Sequence, residues 1–220
     1  MAYSPIIVPT TGKIVVSRQT NLGVATYDLD ELYSPDTDVW KSTVLSLTSP
    51  KYSPNTSYIF DKSRYNNHGT ISGATWTRLP SGLRVLDFDG VDDEVDCGNG
   101  ASLAPTTAIT VEAWVKPPSQ ANFRVIAAKV TDTNWNTGYA LWLHSDGFRF
   151  YINSYVNNVA IIAYTADNVW HHVVGTYNNS LASNQINIYK DAVLGTPDTL
   201  TAAISAATLN LNRATTTKKF

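Results

Sequence analysis

From residue 58 onward, short runs of apolar and β-branched residues alternate with clusters of Gly, Asn, Asp and Ser. The runs that read as strands are 70–77, 83–88, 94–97, 108–116, 123–129, 138–144, 148–153, 158–164, 170–177, 185–190 and 208–212. Each is short and bounded by turn formers, the punctuation of an antiparallel sandwich or jelly roll. No stretch carries a 3.6-residue apolar period of useful length, and 202–207 makes one helical turn at most. Residues 1–57 follow a different rule. Prolines at 5, 9, 35, 50 and 54 interrupt any long element there, leaving only the strand-like runs 13–16 and 44–47. The expected organisation is an irregular N-terminal arm or added strands over 1–57, followed by a β-sandwich over 58–220.

The hairpin 138–153 is the most informative local pattern. Asp146-Gly147 is a strong two-residue turn signal. A turn there sets His144 opposite Arg149, Leu143 opposite Phe150, Trp142 opposite Tyr151 and Leu141 opposite Ile152. Alternation then sorts the faces. Leu141, Leu143, Phe148, Phe150 and Ile152 form an apolar face for the core. Trp142, His144, Arg149, Tyr151 and Asn153 form the other. Two aromatic rings beside hydrogen-bonding groups are what a sugar ring needs, which makes these five a candidate glycan site. The alternative is that the N-terminal arm or a neighbouring subunit covers this face.

Composition narrows the class. Hydrophobic residues make up 43% of the chain, enough for a real core, but charged residues only 15%, so Ser, Thr and Asn must supply much of the polar surface. A net charge of −2 gives no basic field for a nucleic-acid backbone. Cys97 is the single cysteine, so neither an intrachain disulfide nor a cysteine-based metal knuckle is available. No apolar stretch approaches the length of a membrane span. The start, Met1-Ala2-Tyr3-Ser4-Pro5, shows no basic region leading into an apolar run, so no export signal is read. An extracellular style of composition without such a signal suits a phage or virus structural protein released by lysis.

Five motifs in order then carry a family resemblance. They are Asp61-Lys62-Ser63-Arg64-Tyr65-Asn66-Asn67-His68-Gly69, Leu86-Asp87-Phe88-Asp89-Gly90-Val91-Asp92-Asp93-Glu94-Val95, Ile109-Thr110-Val111-Glu112-Ala113-Trp114-Val115-Lys116-Pro117, Trp170-His171-His172-Val173-Val174-Gly175-Thr176-Tyr177 and Ile186-Asn187-Ile188-Tyr189-Lys190-Asp191. Together they resemble the laminin G-like jelly roll of the concanavalin A-like lectin/glucanase superfamily. The resemblance implies an all-β, two-sheet antiparallel sandwich. It implies no single function, because this superfold carries lectins, adhesion modules, glycosidases and capsid proteins. Residues 1–57 match nothing in the family pattern. Residues 209–213 are similar to its strand before the last, and the family's final strand has no counterpart before Phe220. The expectation is an open sheet edge filled by the chain's own N-terminal arm or by a neighbouring copy.

The resemblance also implies calcium as a candidate cofactor, because relatives hold it near a sandwich rim. The matching ligands are Asp61, Asn66 and Asn67, and the same residues are turn formers through Asx hydrogen bonds. Asp87, Asp89, Asp92 and Asp93 read as a tight turn, with calcium as a lesser option. Glycosidases on this fold need two flanking carboxylates. The closest run, Glu94-Val95-Asp96-Cys97-Gly98, places Gly98 where a third acid belongs, and Glu112 stands alone with Trp114 two residues on. His171 and His172 are adjacent in a strand, so they point to opposite faces and cannot share a metal. The expected function is non-catalytic: a surface-binding or structural jelly roll of a virion, as a capsid decoration or tail-associated component that also binds host glycans. The alternatives are a secreted lectin or adhesin module and, behind it, a glycoside hydrolase.

Overall fold

A computed structural model of the chain describes residues 42–50, 54–118, 124–130 and 135–205. The expected strand 208–212 and the run 13–16 lie outside the described residues. Those residues form thirteen strands: β1 (Tyr58–Ile59), β2 (Gly69–Ser72), β3 (Thr75–Arg78), β4 (Arg84–Asp87), β5 (Glu94–Asp96), β6 (Ala108–Val115), β7 (Arg124–Lys129), β8 (Tyr139–His144), β9 (Gly147–Ile152), β10 (Val159–Ala163), β11 (His171–Asn178), β12 (Ile186–Lys190) and β13 (Val193–Leu194). One 3₁₀ turn, Ala101–Leu103, follows β5. The fold is all-β, as the turn spacing predicts. The run read as one strand over 70–77 divides into β2 and β3 at Gly73-Ala74.

The chain divides into two compact units, Met1–Asn67 with Thr75–Asp87, and His68–Ala74 with Phe88–Phe220. In the first unit β3 and β4 pair antiparallel, with Trp76 opposite Leu86 and Thr77 opposite Val85. The Trp76 indole N–H donates to the Asn55 carbonyl at 2.9 Å. The run 44–47 contributes a single bridge, Leu47 to Asp61, rather than a strand.

The second unit holds two 4-stranded antiparallel sheets, ordered β10-β9-β8-β7 and β13-β12-β11-β6. Their apolar faces make one core. Leu141, Leu143, Phe148, Phe150, Ile152 and Ala160 come from the first sheet, and Val173, Tyr177, Ile186 and Ile188 from the second. Each Val, Leu, Ile and Phe side chain among them contributes about 1.5–3 kcal/mol when fully buried. Strand β11 alternates strictly between buried and half-buried positions, the signature of a strand with one wet face. Gly175 sits on its inner row because there is no room for more: a Cβ there would lie 2.3 Å from the Phe150 ring.

The hairpin differs from expectation in a specific way. His144 pairs with Gly147, Leu143 with Phe148, Trp142 with Arg149 and Leu141 with Phe150, so the turn is Ser145-Asp146 and Gly147 opens β9. The cause lies on the next strand: a Cβ on Gly147 would come within 2.1 Å of the Ile162 carbonyl oxygen. The glycine is needed for that close approach inside the sheet, not for the turn. A shift of two residues preserves the parity of a strand. The expected core face, Leu141, Leu143, Phe148, Phe150 and Ile152, is therefore the observed one.

Candidate functional site

The five residues expected to bind a glycan do not form an open platform. Trp142 is 1% exposed and Tyr151 0%. They belong to a second apolar cluster with Val125, Ala128 and Ala140, flanked by Val130, Trp135, Tyr155 and Val159. The Trp142 ring meets Tyr155 and Tyr151 edge-on, at 6.1 and 6.3 Å between centroids. Strand alternation reveals that these rings leave the main core. It carries no signal for Trp135 and Tyr155, which arrive from connecting segments. His144 and Arg149 converge on Asp146 instead. Arg149 donates through Nε and Nη2 at 3.1 and 2.5 Å, and His144 Nδ1 lies 2.9 Å from the carboxylate. The Arg149 hydrogen bond, helped by His144 and working against desolvation, holds the Asp146 carboxyl at about 2. Asn153 ties down another segment: its Nδ2 donates to the Ala203 carbonyl and its Oδ1 accepts from the Ser205 N–H.

The Asp61 turn does not fit a cation. Its Oδ1 accepts the N–H groups of Ser46 and Ser63 at 2.8 and 2.9 Å. Its Oδ2 accepts the Ser63 hydroxyl at 2.6 Å and the Asn67 N–H at 2.9 Å. A carboxylate has about four lone-pair sites, and four protein donors point at them. The Asn67 amide donates to the Val44 carbonyl at 2.7 Å, while Asn66 is exposed with a φ of 55°. Burial raises the Asp61 pKa, but the bonds from Ser63, Ser46 and Asn67 outweigh it and keep the carboxyl below its usual range. Asp89, Asp92 and Asp93 bring carboxylate oxygens within 4.8 Å of one another. Asp93 accepts the Asp89 N–H and Asp89 accepts the Val91 N–H, both at 2.6 Å, the bonds of a tight turn.

An open aromatic face lies elsewhere, on the outer side of the β13-β12-β11-β6 sheet. Directly opposed residues share a face, and the register gives two rows. One is Trp114 against His172; the other is Glu112, Val174, Tyr189 and Leu194 in line across all the strands of the sheet. Trp114 is 65% exposed. Its ring stacks on His172 at 5.2 Å and 24°. The His172 Nε2 lies 3.3 Å from a Glu112 oxygen. An exposed indole is thus braced from below by an imidazole that a carboxylate holds in place. The sequence signal for this face was the even-numbered polar and aromatic positions of β6, Thr110, Glu112 and Trp114, beside His172 on its partner strand.

His171 occupies the opposite face, buried, as the alternation requires. Its Nδ1 lies 2.6 Å from Asp191 and its Nε2 3.1 Å from Asp167. Tyr164 closes the cluster by donating its hydroxyl to Asp167 at 2.9 Å. Carboxylates on both sides of the ring make this a tie between the β10–β11 connection and the β12 turn. It leaves no imidazole nitrogen for a nucleophile. Glu112 is the sole carboxylate within the strands β6, β11, β12 and β13. A cavity of about 50 Å³ beside Lys129, Tyr139 and Ile204 has room for water-sized guests and not for a sugar. Among the described residues no helix is long and apolar enough to cross a membrane.

The paired strands define an all-β jelly-roll sandwich. Residues 89–216 match the family described as the concanavalin A-like lectin/glucanases superfamily. The chain belongs to that superfamily. No curated protein matches it in sequence. Among solved structures it is similar to a botulinum neurotoxin type C chain tied to interaction with two ganglioside molecules, at 16% identity and a TM-score of 0.49, covering 80% of this chain and 44% of the other. It is similar also to the binding domain of botulinum neurotoxin DC in complex with SialylT, at 15% identity and a TM-score of 0.49, covering 79% and 44%. The same domain in complex with rat synaptotagmin II matches at 16% and 0.47, covering 76% and 43%. The chain spans less than half the length of each of these.

Proposed function

We propose that this chain is a non-catalytic binding module whose outer sheet face, centred on Trp114, takes carbohydrate. The observation that carries the reading is the exposed indole on a paired strand, backed by His172 and flanked by Glu112. Aromatic rings with a few placed polar groups suit a ligand that is apolar on its ring faces and polar at its rim. Catalysis is left out because glycoside hydrolysis on this fold needs a second carboxylate across the scissile bond. Glu112 faces an imidazole instead. The test is a glycan array probed with the wild type and with Trp114→Ala. Binding that disappears in a variant retaining its β-sheet circular dichroism supports the reading. Binding unchanged by the substitution overturns it.

A second reading, a subunit of a virion or other repeating assembly, has one observation in its favour. Among the described residues β6 pairs with β11 alone, so its other edge offers backbone groups to an added strand. Light scattering on the purified chain tests it: a closed oligomer supports an assembly role and a monomer across the concentration range removes it.

A further inference from the structure

The geometry of the outer face assigns it a ligand class: a linear, uncharged polysaccharide that lies across the strands and engages several sugar units at once. This inference rests on the carbohydrate reading above and specifies what that reading leaves open. The first observation is length. Glu112, Val174, Tyr189 and Leu194 form one row over β6, β11, β12 and β13. Three interstrand steps make that row about 14 Å long. Trp114 and Tyr189 lie two strands and two residues apart on the same face, a separation of about 12 Å by the same spacings. Two aromatic side chains that far apart cannot stack on one pyranose ring. They can stack on separate rings of one chain, with the Glu112 carboxylate beside Trp114 on the same strand and in row with Tyr189 to accept hydroxyl hydrogen bonds.

The second observation is charge. No Lys or Arg stands at an outward position of β6, β11 or β12. The Lys190 ammonium is turned to the Tyr164 ring, 5.9 Å away, and to Asp191 at 3.3 Å. Among the described residues the ion pair on the face is Glu112 with His172, and the Glu112 side chain is 67% exposed. Within β6, β11 and β12 an anionic sugar would meet the exposed Glu112 carboxylate with no outward Lys or Arg of those strands to answer it, the exposed Lys116 lying just past the end of β6, whereas charge-assisted recognition of acidic groups relies on Arg or Lys. Neutral hydroxyl-rich chains incur no such repulsion.

The third observation is rigidity. Trp114 and Tyr189 both stand on paired strands, with the core residues Val173 and Ile188, each 0% exposed, immediately beneath. A platform fixed in this way loses little side-chain freedom on binding.

The experiment is calorimetric titration of the full chain with neutral xylo-, cello- and manno-oligosaccharides from dimer to hexamer, with sialyllactose and lactose as the charged and uncharged reference pair. Affinity is expected to climb with chain length and then level off, in at least one series. Tyr189→Ala is expected to lower hexamer affinity by about tenfold while leaving dimer binding nearly unchanged, the mark of a second aromatic subsite. Sialyllactose is expected to bind no better than lactose. Affinity that ignores chain length, or that favours the sialylated sugar, overturns the ligand assignment and leaves the carbohydrate reading standing. A folded protein that binds no sugar in these series or on the array overturns both.

Discussion

Two tryptophans on strands, Trp114 and Trp142, have opposite fates. The hairpin alternation reads Trp142 as leaving the core, and Trp114 stands on the outer face of β6. Trp142 is buried by Trp135, Tyr155 and Tyr151, while Trp114 is covered on one side only, by His172. Exposure thus depends on residues distant in sequence, which no strand-local pattern encodes. The consequence is measurable by chemical denaturation. Trp142→Ala removes a buried ring and is expected to cost about 3–5 kcal/mol of stability. Trp114→Ala is expected to shift stability by no more than about 0.5 kcal/mol. A mild Trp142 variant and a severe Trp114 variant would reverse the assignment of the two faces. Asp191 makes a different prediction. Its carboxyl is held at about 2 by the hydrogen bond from His171, against desolvation, and by those from the His172 N–H and Lys190. An unfolded Asp titrates near about 3.9. The folded value is depressed, so the stabilisation is present above that value and is lost as pH falls from about 4 toward 2. Asp191→Asn is expected to be less stable at neutral pH and to lose less stability across that window. Parallel pH–stability curves for the two proteins would contradict it.

At the scale of elements, most of the sheet was legible. Nine of the expected strands map one to one onto β4–β12 within one residue at each end. The hairpin register was not legible, because Asp-Gly signals a turn by its own chemistry while Gly147 serves the neighbouring strand. Two glycine substitutions separate these roles. Gly147→Ala meets a backbone oxygen that cannot swing away, and its φ of 151° lies where side chains are rarely found. Gly175→Ala meets the Phe150 ring, itself fully buried. Overpacking of that second kind costs about 1–3 kcal/mol, and the backbone clash at Gly147 is expected to cost more. Denaturant midpoints of both variants, at unchanged slope, check the order. If Gly147→Ala were neutral, the close approach of the Ile162 carbonyl to this position would be contradicted.

For the molecule as a whole, fold and function separate. Five motifs in order were enough to name the superfamily, because they record the core pattern of the strands. The superfamily spans binding and hydrolysis, so the choice falls to the acids. Those acids are consumed by structure: Asp146 by Arg149, Asp61 by its turn, Asp167 and Asp191 by His171. Among the described residues Glu112 is the acid beside the open indole. The closing prediction follows from that distribution. A retaining or an inverting mechanism needs a second carboxyl group about 5–10 Å from the first. Incubation of the chain with the polysaccharide it binds best is therefore expected to release no new reducing ends, at concentrations where binding is saturated. Glu112→Gln is expected to weaken binding without altering that result. Reducing ends that accumulate with wild type and vanish with Glu112→Gln would mean that a second acid reaches the face, and the module would be a hydrolase.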